Sequence, residues 1–258
     1  MDPADITFVV LTKNEAARLP DCLASIPAGA NVLVYDSSSS DATADLARSR
    51  GALVVEAPWR GFAQTRVDAA GLVRTPWTFM LDADERVTAE LAVELTQLDP
   101  PPDVMAYSVS RRNYFCGAWV RGAGWWPDRL VRLFRTDGLR NGSVMIEARN
   151  SGDASLHETW LVLGESAQLD APLEHRSYAD LAEYRAKFER YTDIEASAVS
   201  PDVFALLNAS TVFPLRALWL YLGRGAIADG WRGAYIAWYS AFYPVVVAAK
   251  AMRAGRPG

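Results

Sequence analysis

The chain reads as an α/β protein, a doubly wound parallel sheet flanked by helices, with a helical appendage towards its C-terminal end. Three observations predict this. Before Pro58, short apolar runs alternate with helical patterns in the order strand, helix, strand, helix, strand. The uncharged, aromatic-rich run 77–81 then gives way to Asp82, Asp84 and Glu85, as expected where a buried strand opens at the carboxyl edge of a sheet. From Pro201 onward the composition turns aromatic and basic, with six Lys/Arg against two Asp, although the whole chain carries a net charge of -5.

Residues 6–11 are nearly apolar and form a candidate central strand. Thr12, Lys13, Asn14 and Glu15 follow, and residues 16–25 place Leu19 and Leu23 at helical spacing. Residues 30–35 make a second strand with Asp36 at its carboxyl end. Beyond the polar turn of Ser37 to Ser40, Asp41 is a cap for a helix over 42–50. A third strand covers 52–55. Pro58 and Gly61 break the pattern before a helix over 62–73, and a helix over 89–98 ends at Pro100, Pro101 and Pro102. Residues 105–110 alternate as a strand. Residues 129–135 alternate loosely, predicting a strand with one basic face carrying Arg129, Arg132 and Arg135. After a short strand near Leu161, a helix covers 178–198, and Ser177 and Asp180 stand at capping-box spacing before it.

Composition excludes several classes. With 50% hydrophobic and 22% charged residues the chain is neither disordered nor fibrous. It has no Lys/Arg tract of the kind that grips nucleic acid, so no nucleic-acid partner is expected. Cys22 and Cys116 stand alone and fit a reducing compartment. The opening Met-Asp-Pro-Ala-Asp lacks the basic and apolar segments of a signal peptide, which predicts a cytoplasmic protein. Between residues 111 and 135, Tyr114, Phe115, Trp119, Trp125 and Trp126 are interleaved with glycines and arginines. That mixture suits a platform that stacks on a flat ligand or a sugar and grips phosphate. An irregular aromatic core segment has the same composition. Residues 233–249 carry no charge, are interrupted by Pro244, and set Trp231, Tyr235, Trp238 and Phe242 on one helical face. This predicts a segment lying in a membrane interface more than a span, with a soluble apolar dimer interface or plain core as alternatives.

Asp82 and Asp84 share a face if strand geometry persists. Two hard oxygen ligands there suit Mg²⁺ or Mn²⁺, with a phosphorylated substrate supplying further oxygens. The alternative is a solvated turn in which Glu85 is filler. His157 and His175 are the only histidines.

Val9-Val-Leu-Thr-Lys-Asn-Glu15, Val34-Tyr-Asp-Ser-Ser-Ser-Ser-Asp-Ala-Thr43, Gly61-Phe-Ala-Gln-Thr-Arg66 and Leu81-Asp-Ala-Asp-Glu85 together resemble the nucleotide-sugar-binding domain of inverting family-2 glycosyltransferases, which have the GT-A fold. Pro127-Asp-Arg-Leu-Val-Arg-Leu-Phe-Arg135, Leu156-His-Glu158 and Leu173-Glu-His-Arg-Ser-Tyr178 are similar to the branch of bacterial lipopolysaccharide inner-core glucosyltransferases that add glucose to heptose. The resemblance implies a catalytic domain over residues 1–200, its donor half about 1–110 and its acceptor half about 111–200, followed by a membrane-associating tail over 201–258. It implies that Asp36 accepts a hydrogen bond from the base of a UDP-sugar, with Thr12 and Glu15 nearby, and that Arg66 helps hold base or diphosphate. Asp82 is then close to ribose or metal, Asp84 is the direct ligand of Mg²⁺ or Mn²⁺, and His175 completes the metal set or touches the diphosphate. Arg129 and Arg132 fit the pyrophosphate or an anionic acceptor. Glu158 is the implied base, oriented by His157, with Asp128 its rival. The implied partners are a nucleotide sugar, a lipid-anchored or lipopolysaccharide glycan acceptor, and a membrane surface met through residues 211–250. The expected location is peripheral, on the inner face of the cell membrane. Ser38 stands where such enzymes commonly have glycine. A nucleotidyltransferase would show a glycine-rich basic loop after the first strand, which Thr12-Lys-Asn-Glu15 lacks, and a non-catalytic nucleotide-binding module is the remaining alternative.

Overall fold

A computed structural model describes residues 1–148 and 158–254. The strands are β1 (Ile6–Thr12), β2 (Asn31–Asp36), β3 (Leu53–Glu56), β4 (Trp77–Asp82), β5 (Glu85–Val87), β6 (Val104–Phe115), β7 (Ala118–Trp119), β8 (Asp128–Arg135), β9 (Val144–Ala148), β10 (Glu158–Val162), β11 (Glu165–Gln168) and β12 (Leu173–Tyr178). The α-helices are α1 (Leu19–Ser25), α2 (Thr43–Ser49), α3 (Phe62–Ala70), α4 (Ala89–Gln97), α5 (Gly138–Asn141), α6 (Leu181–Ala198), α7 (Val203–Leu218) and α8 (Gly230–Ala254).

Two compact units form, Met1–Arg111 with Arg129–His175, and Arg112–Asp128 with Arg176–Gly258. This divides the chain differently from the expected 1–200 and 201–258. Helix α6 belongs with the tail because its apolar face, Tyr184, Phe188 and Ala196, packs on Ile236, Tyr239 and Val247 of α8.

In the first unit the sheet runs β3-β2-β1-β4-β8-β6-β12-β5, with β11 beside β6. The β3-β2-β1-β4 half is parallel. Beyond it the sheet is mixed, since β8 is antiparallel to β4 and β5 is antiparallel to β12. The continuous apolar runs follow from burial on both faces. Ile6, Phe8 and Val10 enter one core with Leu19, Cys22, Phe79 and Leu91, whereas Val9 enters the other with Leu33, Met80 and Phe134. Phe8 and Phe79 stack at 4.7 Å between neighbouring strands. Each such fully buried ring stabilises the sheet by about 1.5–3 kcal/mol.

Helix α6 starts three residues later than the Ser177 signal. Ser177 lies in β12, and the box is built from Asp180, which accepts from Glu183 N at 2.8 Å, and Glu183, which accepts from Ala179 N at 2.8 Å.

The second unit holds α6, α7 and α8 around an aromatic core of Phe115, Tyr184, Phe188 and Ile236. The uncharged stretch 233–249 lies within α8. Gly233, Ile236, Ala237, Ala241 and Val247 are buried along it against α6 and α7, and Ala234 and Trp238 are exposed. The aromatic segment divides similarly. Trp125 joins the core with Phe115 and Tyr178, and Trp119 is covered by the chain's own Arg112 and Arg121, whose guanidinium carbons stand 5.1 and 4.1 Å from its ring centre.

Ala226 is fully buried between two glycines. A β-carbon at Gly122 would stand 2.2 Å from its α-carbon, and one at Gly233 would stand 1.8 Å from its carbonyl oxygen. Both neighbours are backbone and cannot turn away. Gly233→Ala is therefore expected to destabilise the second unit by about 3 kcal/mol or more, measured by urea unfolding. An unchanged midpoint and slope would show that Ala226 and α8 can separate freely.

Candidate active site

At the carboxyl end of β4, three carboxylates fall within four residues. Strand β4 stops at Asp82, and Ala83 and Asp84 form a turn before β5 begins at Glu85. Strand geometry therefore does not persist to Asp84, and the two expected metal carboxylates meet different partners. Asp82 accepts from Arg66 Nη2 at 3.0 Å and from Arg132 Nη2 at 2.8 Å. Asp84 faces His175, with Oδ2 and Nε2 3.5 Å apart. The register explains this meeting, because β12 pairs with β5 so that His175 lies opposite Glu85.

Glu85 is the least exposed of the three, at 0%. One oxygen accepts from Asp82 N at 3.0 Å, and the other takes Arg132 and, at 3.2 Å, Arg111. Its reading as turn filler is thus overturned. The strand period carried a signal for it, since Leu81, Ala83, Glu85 and Val87 alternate and all are buried. A carboxylate in that position needs buried cationic partners, and β6 and β8 supply Arg111 and Arg132. Burial alone would raise the Asp82 carboxyl, but Arg66 and Arg132, with Arg111 behind them, hold it well below the usual carboxylate range. Burial works equally against the Arg132 charge, which Glu85 and Asp82 more than restore. Burial pushes the nearby Cys22 thiol well up, and Glu85, Asp84 and Asp82 add to the shift, which leaves it unsuited to nucleophilic work at neutral pH.

The expected single basic face of β8 does not form. A period of two cannot put residues three apart on one side. Arg132 is buried against Asp82 and Glu85, and Arg135 lies 4.8 Å over Trp77 while donating to the carbonyls of Val104 and Pro101. Arg129 is exposed.

Asp36 ends β2 at 0% exposure. Thr12 Oγ1 donates to its Oδ1 at 2.8 Å, and Ser39 donates through Oγ to Oδ1 at 2.6 Å and through N to Oδ2 at 2.8 Å. The loops after β1 and β2 are stitched by Asn14, whose Oδ1 accepts from Ser40 N at 2.8 Å and whose N–H donates to Ser39 Oγ at 2.8 Å. Ser38, in place of the glycine, has φ of 57°, so the turn keeps the left-handed conformation without glycine's freedom. Glu15 pairs with Arg18 at 3.3 Å and donates its N–H to Thr43.

Of the candidate bases, Asp128 lies in the second unit and accepts from Asn113 Nδ2 at 3.0 Å. Glu158 opens β10 opposite Ala148, and its side chain lies outside the described residues, as does His157.

No three His, Cys, Asp or Glu side chains among the described residues converge to hold a metal ion by themselves. Asp84 and His175 nevertheless fit as two of its ligands. Neighbouring ligands at roughly 2.1 Å in an octahedral shell stand about 3 Å apart, and Mg²⁺ usually takes one or two carboxylates with phosphate oxygens instead of an all-protein cage.

Residues 7–148 match the family model described as "Glycosyl transferase family 2". The chain is 27% identical over 262 residues to the lipopolysaccharide core biosynthesis glycosyltransferase LpsC of Rhizobium meliloti, covering 95% of this chain and 91% of the relative. It is 38% identical over 91 residues to an uncharacterized glycosyltransferase of Rickettsia bellii, covering 35% of this chain and 31% of that one. Among solved structures, the mannosyltransferase PcManGT of Pyrobaculum calidifontis, in complex with GDP-Man and Mn²⁺, aligns with a TM-score of 0.55 at 19% identity over 99% of this chain and 90% of its own. The mannosyl-3-phosphoglycerate synthase of Rubrobacter xylanophilus aligns at 0.50 and 20% identity, covering 75% and 72%. The architecture is the GT-A fold of these glycosyltransferases.

Two outcomes are expected at this site. Glu85→Gln should cost about 3–5 kcal/mol, because it leaves buried guanidinium charge uncompensated, as measured by urea unfolding. The depressed Asp82 carboxyl contributes stability above its unfolded value, near about 3.9, and loses it as pH falls towards the lower folded value. Stability should thus be nearly level in this contribution above about pH 5 and decline below about pH 4. Asp82→Asn should flatten that decline, and an identical acid limb in the variant would remove Asp82 from the account.

Proposed function

Because the chain belongs to glycosyl transferase family 2, we propose that it is a metal-dependent inverting hexosyltransferase that moves glucose from UDP-glucose to a heptose of the lipopolysaccharide inner core. The observation that carries the donor half is the pairing of Asp84 with His175 beside the neutralised Asp82, at the same sheet edge as Asp36. A GT-A neighbour that holds GDP-Man and Mn²⁺ supports a nucleotide sugar with a divalent cation. The acceptor class is supported by similarity to a lipopolysaccharide core glycosyltransferase along nearly the whole chain.

In this reading Asp36, held by Thr12 and Ser39, takes a hydrogen bond from the nucleotide base. Asp84 and His175 hold Mg²⁺ or Mn²⁺. When bound, the cation supplies positive charge against the negative charge that builds on the leaving diphosphate. Arg66 and Arg132 fix the Asp82 carboxylate. The acceptor hydroxyl attacks the anomeric carbon opposite the diphosphate, its proton passes to a carboxylate, the bond to the phosphate oxygen breaks, and UDP leaves with inversion at carbon. Glu158 is the proposed base and Asp128 its rival.

The test is release of nucleoside diphosphate from UDP-, GDP- and dTDP-sugars with Mn²⁺ or Mg²⁺, with and without heptose-terminated lipopolysaccharide. Acceptor-stimulated release from UDP-glucose is expected. Stimulation only by another lipid-linked glycan would keep the transferase and replace the acceptor. Asp84→Ala should lower turnover by about 10²–10³-fold while leaving the protein folded, and full turnover in chelator would refute the metal role. Glu158→Gln should bind donor yet fail to transfer, and near-normal transfer would move the base to Asp128.

A further inference from the structure

Helix α7 continues through a π-turn to Gly223, giving a 21-residue helical stretch, Val203–Gly223, with mean hydropathy 1.5 over 18 of its residues. Its two sides are used differently. Leu206, Ala209, Phe213, Ala217 and Leu220 are the more covered positions, and Phe213 packs on Trp238 and Phe242 of α8. At about 100° per residue these five centre on one direction. Phe204, Leu207, Leu215, Leu218 and Leu222 centre on the opposite one, and all are exposed, Phe204 by 78% and Leu215 by 71%. Asn208 and Thr211 interrupt this side, yet five large exposed apolar side chains on one side of one helix make a patch of the kind that marks an interaction surface.

Charge identifies what covers it. Between Asp202 and Asp229 the only charged side chains are Arg216 and Arg224, and both are exposed. Trp219, also half-exposed, flanks the stripe, with Arg224 5.4 Å over its ring. An apolar stripe edged by tryptophan and arginine, with no carboxylate, matches the acyl and anionic headgroup layers of a bilayer. A two-fold contact of this face with its own copy would bring together arginines alone, Arg216 and Arg224, with no carboxylate to pair them.

We propose that α7 lies in the plane of an anionic lipid bilayer, with the Phe204, Leu207, Leu215, Leu218 and Leu222 stripe inserted and Arg216 and Arg224 at the headgroups. Although long and apolar enough to cross, α7 has its other side occupied by α8, which in turn packs on α6. Helix α6 places Glu189 and Asp193 on Lys250 of α8. Only one side of α7 is therefore open to lipid. The element set against the lipid is thus α7. This inference deepens the proposed function, since it places the chain where a lipid-anchored acceptor is found, but its test uses no sugar.

The full chain is floated with vesicles of phosphatidylcholine alone and with an equimolar mixture of phosphatidylcholine and phosphatidylglycerol. It should float with the mixed vesicles and far less with the neutral ones. Leu207→Glu, Leu215→Glu and Leu218→Glu combined should reduce binding more than tenfold, with the thermal midpoint retained because the sites are exposed. Arg216→Gln and Arg224→Gln should each weaken binding to the mixed vesicles by about fivefold, and added salt should do the same to the unsubstituted chain. Failure of the unsubstituted chain to float, or equal flotation of the triple variant, would overturn the proposal. So would light scattering that finds a dimer which the triple variant dissociates without any vesicle affinity in either. UDP-sugar binding measured on the same samples reads the transferase proposal separately, so either can fail alone.

Discussion

The arrangement at the end of β4 depends on one buried ion network. Glu85 has no contact with water, and a carboxylate in that position is tolerated only because Arg132 and Arg111 reach it from β8 and β6 and because it also accepts the Asp82 N–H. Arg132 then has a second hydrogen to give and spends it on Asp82, whose other oxygen takes Arg66 from α3. Four separate segments of chain are thereby held to within hydrogen-bond tolerance. The value of such a network lies less in net stabilisation than in fixing one arrangement, since desolvation offsets much of the attraction between its charges.

A second constraint is strand register. β5 is only three residues long, yet its antiparallel pairing with β12 brings His175 beside Asp84 from 91 positions later in the sequence. A slip of one residue would turn His175 to the other face of the sheet. The network around Glu85 anchors the first residue of β5, so the same buried charge that orients Asp82 also sets the register that delivers the histidine.

The parallel half of the sheet was legible because both-face burial writes itself as unbroken apolar strands, and Asp36 and Asp82 stand at strand ends where the pattern puts them. Helix ends were less so. Ser177 and Asp180 have the spacing of a cap, but pairing continues through Ser177 in β12 and the true cap is Asp180 with Glu183. The partners of Glu85 were illegible, since Arg111 and Arg132 come from strands whose pairing no local pattern specifies. The arginines of β8 recur every three residues, and the two-residue period of a strand divides them between its two faces. In the tail, lack of charge marked apolar surface correctly but could not tell burial from exposure. The 233–249 stretch buries one side and leaves Ala234 and Trp238 exposed, while α7, with polar Asn208, Ser210 and Thr211 within it, is the more exposed helix.

The cluster also has a kinetic consequence. Asp82, Asp84 and Glu85 are matched by Arg66, Arg111 and Arg132, so formal charge at the end of β4 cancels before any ligand arrives. A balanced cluster projects little field beyond a few ångströms, and long-range steering needs an unbalanced one. Encounter with an anionic ligand then gains little from the field of this cluster, and selectivity is exercised after contact, by how closely the ligand's oxygens fit the fixed donors.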